Sequence, residues 1–296
     1  MQKITTHLWF DKEAKEAAEF YVAIFGKGSK IKNLSKLDNT PSGSVDMVTF
    51  ELLGREFQAI SAGPLFKFNP SVSFLVTCNT KDEVDALYEK LAQGGTMLME
   101  LGAYPFSERF GWVQDKYGLS WQIIYAGGAG VKQKITPVIM FVGNVCGKAE
   151  EAINFWKALF KDAKVDAIMR YGKGEEPDKE GTLKYADFSL FGEEFRAMDS
   201  AYEHNFAFNE AISFIVYCNT QDEIDYYWNK LSAVPEAEQC GWLKDKYGFS
   251  WQIVPTAMDE MMRDGSKEQI ARVTEAFLQM KKFDVESLWK AYQGGD

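Results

Sequence analysis

Hydrophobic residues follow two different periods in the first part of this chain. Ile4–Phe10 alternates with period two, placing Leu8 and Phe10 on one side and His7 on the other, which predicts a strand. Ala14–Phe25 instead repeats its apolar positions every three or four residues, which is typical of a helix with one buried face. The chain therefore opens with a strand followed by a helix.

The same order then begins again. A predicted hairpin of Val45–Leu53 and Glu56–Ser61 turns near a glycine. A second strand at Val72–Cys78 follows, and then a helix at Lys81–Gln93 whose start is marked by an Asn-Thr pair. Two further strands are expected around Trp112 and Trp121. The pattern predicts two consecutive β-α-β-β-β modules in the first 125 residues.

The chain also repeats itself, which indicates a tandem duplication. Twelve of 23 positions are identical between Asn69–Leu91 and Asn209–Leu231, and ten of 14 between Gly111–Ile124 and Gly241–Val254. Ile4–Phe25 also matches Ile135–Phe160, with four extra residues in the second stretch. Three matches in the same order predict two copies of one domain and four modules in all.

These repeats set the expected domain boundaries. The first domain is expected over residues 1–127, the second over 131–255, and a helical extension over 256–296. The glycine-rich stretch Ala126–Gly130 is the predicted linker. In the extension, Asp284 is expected to cap the last helix, and the stretch Arg263–Glu268 to interrupt the helical pattern.

The composition of the chain argues against several classes of function. The net charge of −10 argues against nucleic acid or an anionic membrane as the main partner. The chain has no apolar run long enough to span a bilayer and no signal-peptide pattern at its start. Its four cysteines form no CxxC motif, which fits a reducing compartment. A cytoplasmic protein is expected.

Several motifs resemble those of one superfamily. They are LWFD at Leu8–Asp11, EAAEFY at Glu16–Tyr21, FKFNPSVSFLV at Phe66–Val76, HNFAFNEAISF at His204–Phe214, and GW…DKYG…SWQI in both copies. The chain resembles the PhnB-like branch of the vicinal-oxygen-chelate (glyoxalase/bleomycin-resistance/dioxygenase) superfamily. The resemblance implies an α+β fold of two glyoxalase-like domains. In each domain, two paired modules form a cup-shaped mixed sheet, which often holds a divalent metal.

The metal ligands of that superfamily are poorly matched here. The resemblance implies histidines on first strands and glutamates four residues after a glycine. The glutamate positions hold Gln58, Gln122, Arg196 and Gln252, and none of these is a carboxylate. His7 is one of only two histidines, and its counterpart in the second copy is Val138. No standard metal centre is expected. His7 is interpreted as a cup-lining or hydrogen-bonded residue, with a weak metal-binding role as the alternative, and His204 as a loop residue.

Strand alternation predicts where a ligand would bind. The large apolar residues of each strand are expected beneath helices, so their neighbours must face the cup. The predicted ligand-binding residues are His7, Trp9, Gln58 and Gln122 in one cup, and Met140, Asp187, Arg196 and Gln252 in the other. Asp187 and Arg196 are expected to form an ion pair across their hairpin, where the first copy has Thr49 and Gln58.

Three hypotheses of function follow. The leading one is a PhnB-like protein that binds a small molecule in two cups without a cofactor. The alternatives are a metal-dependent lyase, isomerase or dioxygenase with its site around His7, and a structural module that associates with itself. Some PhnB-like sequences carry the label 3-demethylubiquinone-9 3-methyltransferase, but we find no glycine-rich strand-to-helix turn that would cradle an adenosyl cofactor. Whether the protein forms a homodimer is left open.

Overall fold

The computed structural model describes residues 2–128, 131 and 133–295. The predicted linker is therefore described only as far as Gly128, and its last two residues, Ala129 and Gly130, lie outside the described residues.

The first copy contains the two predicted modules. The first module consists of β1 (Ile4–Phe10), α1 (Ala14–Phe25), β2 (Lys30–Thr40), β3 (Gly43–Leu52) and β4 (Arg55–Ser61). The second consists of β5 (Val72–Cys78), α2 (Lys81–Ala92), β6 (Thr96–Tyr104), β7 (Ser107–Gln114) and β8 (Ser120–Tyr125). Thr80 caps α2, since its side chain accepts a hydrogen bond from the backbone of Glu83.

The second copy repeats this order with one strand fewer. Its first module consists of β9 (Ile135–Phe141), a 3-10 turn (Gly143–Val145), α3 (Ala149–Leu159), β10 (Lys164–Arg170), β11 (Leu183–Leu190) and β12 (Glu193–Asp199). Its second consists of β13 (Ile212–Cys218), α4 (Gln221–Leu231), a 3-10 turn (Pro235–Ala237), β14 (Trp242–Lys244) and β15 (Ser250–Pro255). Three tail helices follow: α5 (Thr256–Asp264), α6 (Lys267–Leu278) and α7 (Val285–Gln293).

The tail agrees with the sequence prediction in two respects. The break falls at Gly265 and Ser266, and Ser266 begins α6 with a capping box to Gln269. The side chain of Asp284 caps α7 by accepting a hydrogen bond from the backbone of Ser287. In the described part of the chain, none of the helices has the length and hydrophobicity needed to cross a bilayer.

Strands of both copies share two mixed sheets. The seven-stranded sheet has the order β14-β15-β13-β1-β4-β3-β2, and the eight-stranded sheet has the order β10-β11-β12-β9-β5-β8-β7-β6. The copies meet where β1 runs antiparallel to β13, and where β5 runs antiparallel to β9. The structure confirms the α+β glyoxalase-like fold with its four modules and tail.

The pairing of the modules differs from the prediction. We expected the two modules of one copy to form a cup together, but each sheet joins one module of the first copy to one of the second. The physical reason is that all four modules begin with similar apolar strands. The backbone groups at the edge of β1 can form hydrogen bonds with β13 or with β5. The sequence repeat does not distinguish these two partners.

A single apolar core joins the two sheets. Each sheet turns one face toward this core, and the helices α1 to α4 pack there. Phe57 of the seven-stranded sheet lies 5.4 Å from Phe74 of the other, measured between ring centres. Phe195 and Phe214 form the equivalent contact at 5.1 Å. The faces that point away from this core are called the outer faces below.

The tail takes the place of the missing strand. Leu231 and Trp242 are separated by ten residues fewer than their counterparts Leu91 and Trp112, so the second copy lacks an equivalent of β6. Here the backbone N–H groups of Cys240 and Gly241 donate hydrogen bonds to the carbonyls of Met280 and Lys281, at 2.8 and 2.7 Å. The tail thus satisfies backbone groups at the edge of the seven-stranded sheet.

The tail also covers the outer face of that sheet. Leu37, Val45 and Ala62 are buried there beneath Met262, Ile270 and Phe277 of the tail helices. A second small core holds the tail helices together, built on Met261, Val273, Phe283 and Leu288. The two outer faces of the molecule therefore differ: one lies under helices that belong to the same chain.

Candidate functional site

Strand alternation places the predicted site residues on the outer faces. The apolar neighbours Leu8, Phe57, Trp121, Phe195 and Trp251 are all buried in the core. Their sequence neighbours project the other way, because successive side chains of a strand point to opposite faces. In each strand that carries a predicted site residue, the side chains alternate between the core and the outer face as the sequence predicts.

On the seven-stranded sheet, the site residues form a row across the strands. His7 lies beside Ser213 on one neighbouring strand and beside Gln58 on the other. Thr49 follows next to Gln58, and Gln252 ends the row by donating a hydrogen bond from Nε2 to Ser213 Oγ at 2.9 Å. This set is called the seven-strand row.

The eight-stranded sheet carries the matching row. Val138 stands where His7 stands in the other sheet, between Ser73 and Arg196. Asp187 lies opposite Arg196, and Gln122 donates from Nε2 to Ser73 Oγ at 2.9 Å. This set, the eight-strand row, replaces the histidine by valine and the Thr–Gln pair by Asp–Arg.

The predicted grouping of the two glutamines was wrong. Gln122 was placed with His7, Trp9 and Gln58, but it lies on the eight-stranded sheet with Arg196. Gln252 was placed with Arg196, but it lies on the seven-stranded sheet with His7. This exchange follows from the pairing of the modules. The last strand of the first copy, β8, lies in the same sheet as β9, and the last strand of the second copy, β15, lies in the same sheet as β1.

His7 lies in an apolar environment. Only 7% of the residue is exposed, and its Nδ1 atom is buried without a hydrogen-bond partner. The indole of Trp242 stands edge-on to the imidazole, with 5.3 Å between ring centres. Burial lowers the pKa of His7 to about 3, because a charged imidazole would lose its hydration there. The ring is therefore neutral at physiological pH.

The tail adds a carboxyl group near the seven-strand row. Gln58 donates from Nε2 to the hydroxyl of Tyr217 at 2.6 Å, and Tyr217 in turn interacts with Asp259 of α5. Burial raises the pKa of Asp259 to about 6, and the nearby Glu56 acts in the same direction. Alternation along β13 places Tyr217 on the same face as Ser213, but the sequence prediction did not include it.

The eight-strand row contains a partly exposed ion pair. Arg196 binds Asp187 with two hydrogen bonds, Nε to Oδ1 at 2.6 Å and Nη2 to Oδ2 at 2.9 Å. The side chains of Arg196 and Asp187 are 27% and 36% exposed, and their counterparts Gln58 and Thr49 in the other row are also partly exposed. The predicted ion pair is present. Beside it lies an apolar group: Leu75, Phe110 and Val138, flanked by Met99, Tyr104, Trp112, Ile124 and Met198.

The remaining predicted residues lie near the rows. Trp9 is on the outer face of the seven-stranded sheet, and its Nε1 donates to the carbonyl of Gly63 at 2.8 Å. Met140 is 3% exposed on β9 of the other sheet. His204 lies in a loop, where its Nε2 contacts Ser200 Oγ at 2.9 Å and its ring lies 4.9 Å from that of Phe206. His204 belongs to neither row.

Neither row fits a divalent cation. The seven-strand row offers one neutral imidazole, hydroxyl groups and two amides, and both amides already donate hydrogen bonds, Gln58 to Tyr217 and Gln252 to Ser213. This set has no anionic ligand of its own to compensate a buried double charge, and the nearby Asp259 carboxyl group is engaged by Tyr217. In the eight-strand row the Arg196 guanidinium would repel a cation. Among the described residues, no cluster of three or more His, Cys, Asp or Glu side chains has a metal-binding arrangement.

Comparisons with known proteins agree with this architecture. The family model described as 3-demethylubiquinone-9 3-methyltransferase matches residues 2–124 and again 133–254. Glyoxalase I from Zea mays is similar in fold, with a TM-score of 0.51 at 13% identity, covering 87% of this chain and 95% of that one. A PhnB protein from Bacillus cereus is 46% identical over 42% of this chain and 100% of its own length, with a TM-score of 0.40. No curated protein matches.

Proposed function

The chain belongs to the family described as 3-demethylubiquinone-9 3-methyltransferase, and from this premise we propose that it binds a small molecule on the outer face of its eight-stranded sheet. The fold is the PhnB-like, glyoxalase-type fold in two repeats. The observation that carries the proposal is the difference between the two outer faces: the tail helices lie on one, and the Arg196–Asp187 pair remains accessible on the other.

The proposed ligand is polar at one end and apolar at the other. Arg196 and Asp187 use two of their hydrogen-bonding groups on each other, and the guanidinium keeps further N–H donors. Gln122 lies in the same row, and the apolar group around Leu75 and Trp112 adjoins it. Sites with a few polar groups beside aromatic and aliphatic side chains are typical of small-molecule binding. A ligand with a carboxylate or amide and a hydrophobic body suits this arrangement.

We do not propose methyl transfer. An adenosyl cofactor usually binds at a glycine-rich turn between a strand and a helix. The connection from β9 to α3 contains Gly143 and Gly147, but the Asp199 carboxylate already accepts hydrogen bonds from the N–H groups of Gly147 and Ala149, at 2.7 and 3.2 Å. A metal-dependent reaction is not proposed either, because of the donor chemistry of both rows.

Ligand-observed NMR with a library of small carboxylic acids and amides tests the proposal. Hits on the wild-type protein are expected to lose binding in Arg196→Leu, because the polar end of the ligand loses its donor. Gln58→Leu is the matched control, since Gln58 occupies the same position in the covered row, and it should retain the hits. Hits that survive Arg196→Leu, or that disappear in Gln58→Leu, would contradict this site.

Elemental analysis tests for a bound metal, and light scattering tests for a second copy of the chain. Protein purified without added metal is expected to contain no stoichiometric zinc, nickel, manganese or iron bound through His7. The sequence left open whether the whole chain forms a homodimer, and the mass in solution measures it.

A further inference from the structure

A cavity opens at the end of β1. Its volume is about 270 Å³, and its walls include Trp9, Phe66, Phe68 and Tyr117. By the same measure a single water molecule needs only about 10–15 Å³, so the space is large enough for an organic group.

The aromatic walls are held in fixed orientations. The Trp9 indole is anchored by its hydrogen bond to Gly63, and Phe66 stands edge-on to it at 5.1 Å between ring centres. On the other wall, Phe10 contacts Phe68 at 4.9 Å and Tyr117 at 6.1 Å. Ring faces attract cations, because the π-electrons give each face a partial negative charge, and the Lys116 ammonium already lies 4.8 Å from the centre of the Tyr117 ring.

Two carboxylates and one ammonium group line the same cavity. Asp11 and Glu13 contribute negative charge, and Lys67 contributes one positive charge, which leaves a net charge of −1 among these three. Glu13 also acts on Tyr117 by charge, so this carboxylate is close to the aromatic wall. A cation would therefore gain from both the rings and the carboxylates.

The second copy lacks these features. The residues that correspond to Trp9, Glu13 and Lys67 are Met140, Lys148 and Ala207. The indole is lost, and the charge at the start of the helix is reversed. A general requirement of the fold, such as favourable charge at a helix start, would apply to α3 as well as α1. The cavity chemistry is therefore specific to the first copy.

We propose that this cavity, bounded by Trp9, Phe66, Phe68, Tyr117, Asp11 and Glu13, binds an organic cation: an amine or a quaternary ammonium group. This site lies between the end of β1 and the turn that joins β7 to β8, and it does not depend on the function proposed for the outer face of the eight-stranded sheet.

Choline and its neutral analogue 3,3-dimethylbutan-1-ol test the proposal by NMR titration. Choline should bind, and its methyl protons should shift upfield because they lie over ring faces, whereas the neutral analogue should bind more weakly. Glu13→Gln should weaken choline binding about two- to fivefold, the range expected for one exposed charge. Lys67→Ala should strengthen it, because a repulsive charge is removed.

Lys148→Gln, at the equivalent position of the second copy, is the matched control and should change nothing. The proposal is overturned if choline does not bind at millimolar concentration, or if it binds no better than its neutral analogue. It is also overturned if Lys67→Ala weakens binding, since that result would indicate an anion site. The substituted charges are at the protein surface, so the variants are expected to fold.

Discussion

At the scale of single residues, two buried aspartates explain why the DKYG motif occurs in both copies. Asp115 accepts hydrogen bonds from Tyr21 Oη and Trp121 Nε1, at 2.7 and 2.8 Å, and also from two backbone N–H groups in its own turn. Asp245 does the same with Trp156 and Trp251. Each carboxylate therefore fixes the last hairpin of one module to the helix of another. Their role is structural.

Replacing either aspartate by asparagine is expected to lower the free energy of unfolding by about 2–3 kcal/mol. In Asp115→Asn and Asp245→Asn, an amide N–H₂ would face N–H and O–H donors, so at least one buried donor loses its acceptor. Urea denaturation measures the effect. Asp82→Asn, on the exposed first turn of α2, is the control and should change stability by less than about 0.5 kcal/mol. Equal stability of all three variants would show that the buried bonds are not important.

His7 should make the protein less stable in acid. Burial holds its pKa at about 3 in the folded state, against about 6.5 in the unfolded chain. Between these values the unfolded chain binds a proton that the folded protein does not. The free energy of unfolding should therefore fall as the pH drops below 6.5, by about 1.4 kcal/mol per pH unit for this group.

The measurement is denaturant unfolding at several pH values from 4 to 7, comparing the wild type with His7→Leu. The difference in the free energy of unfolding between the two proteins should change by about 1.4 kcal/mol per pH unit, because all other titrating groups contribute equally to both. A difference that is constant with pH would show that His7 is accessible to protons in the folded state.

Alternation predicted the faces of His7, Gln58 and Arg196 because it depends only on neighbouring residues. It did not predict the burial of His7, since Trp242, which stands edge-on to its ring, lies 235 positions later in the chain. Alternation also places Trp242 on an outer face, because its neighbour Leu243 is a core residue, but the pairing of the modules decides that His7 lies on the same face. Local patterns give the direction of a side chain, and its surroundings depend on the tertiary fold.

At the scale of elements, the tail replaces a strand and covers a face. The sequence predicted its helices and their caps, because these depend on local signals. The site where the tail docks depends on the missing equivalent of β6, and this absence was visible only as ten fewer residues between Leu231 and Trp242. Sequence comparison of the copies could have found it.

Docking of the tail should weaken as the pH rises. Burial raises the pKa of Asp259 to about 6, against about 3.9 when the residue is exposed. The docked tail thus binds a proton more tightly than the undocked tail. Docking should be strongest below about pH 4, weaken up to about pH 6, and then stay constant. Glu56 increases this effect and Arg263 opposes it.

Hydrogen exchange of α5, corrected for intrinsic exchange rates, can be measured at pH 5 and pH 7.5. Protection in the wild type should be lower at pH 7.5. In Asp259→Asn it should be the same at both values, because the amide does not titrate. Glu275→Gln, at an exposed position of α6, should behave as the wild type does. If the wild type shows equal protection at both pH values, Asp259 does not control docking.

At the scale of the whole molecule, each sheet depends on both copies. The repeat predicted four modules correctly, but β1 and β5 both find their outer partners in the other copy. An isolated first copy would leave these two strands with unpaired backbone edges and apolar side chains exposed.

Residues 1–128 expressed alone should therefore form a homodimer, because a second identical copy offers the same strand edges as the missing half. Size-exclusion chromatography with light scattering measures the mass. Adding residues 131–296 should convert the homodimer to a heterodimer if the cross-copy pairing is correct. A folded monomer of residues 1–128 would show instead that β1 and β5 can pair within one copy.

Because each sheet contains strands of both copies, the position of a recombination between the two copies of the coding sequence determines which strands the shortened protein keeps. Asn69 and Asn209 are equivalent positions, and crossing over between them would delete the stretch that contains β5 to β12. The shortened product would keep every strand of the seven-stranded sheet, the complete row around His7 and the tail that covers it. Crossing over at the start of the two copies would instead divide both sheets. A deletion between Asn69 and Asn209 therefore removes one whole sheet, whereas the deletion of one copy removes half of each sheet.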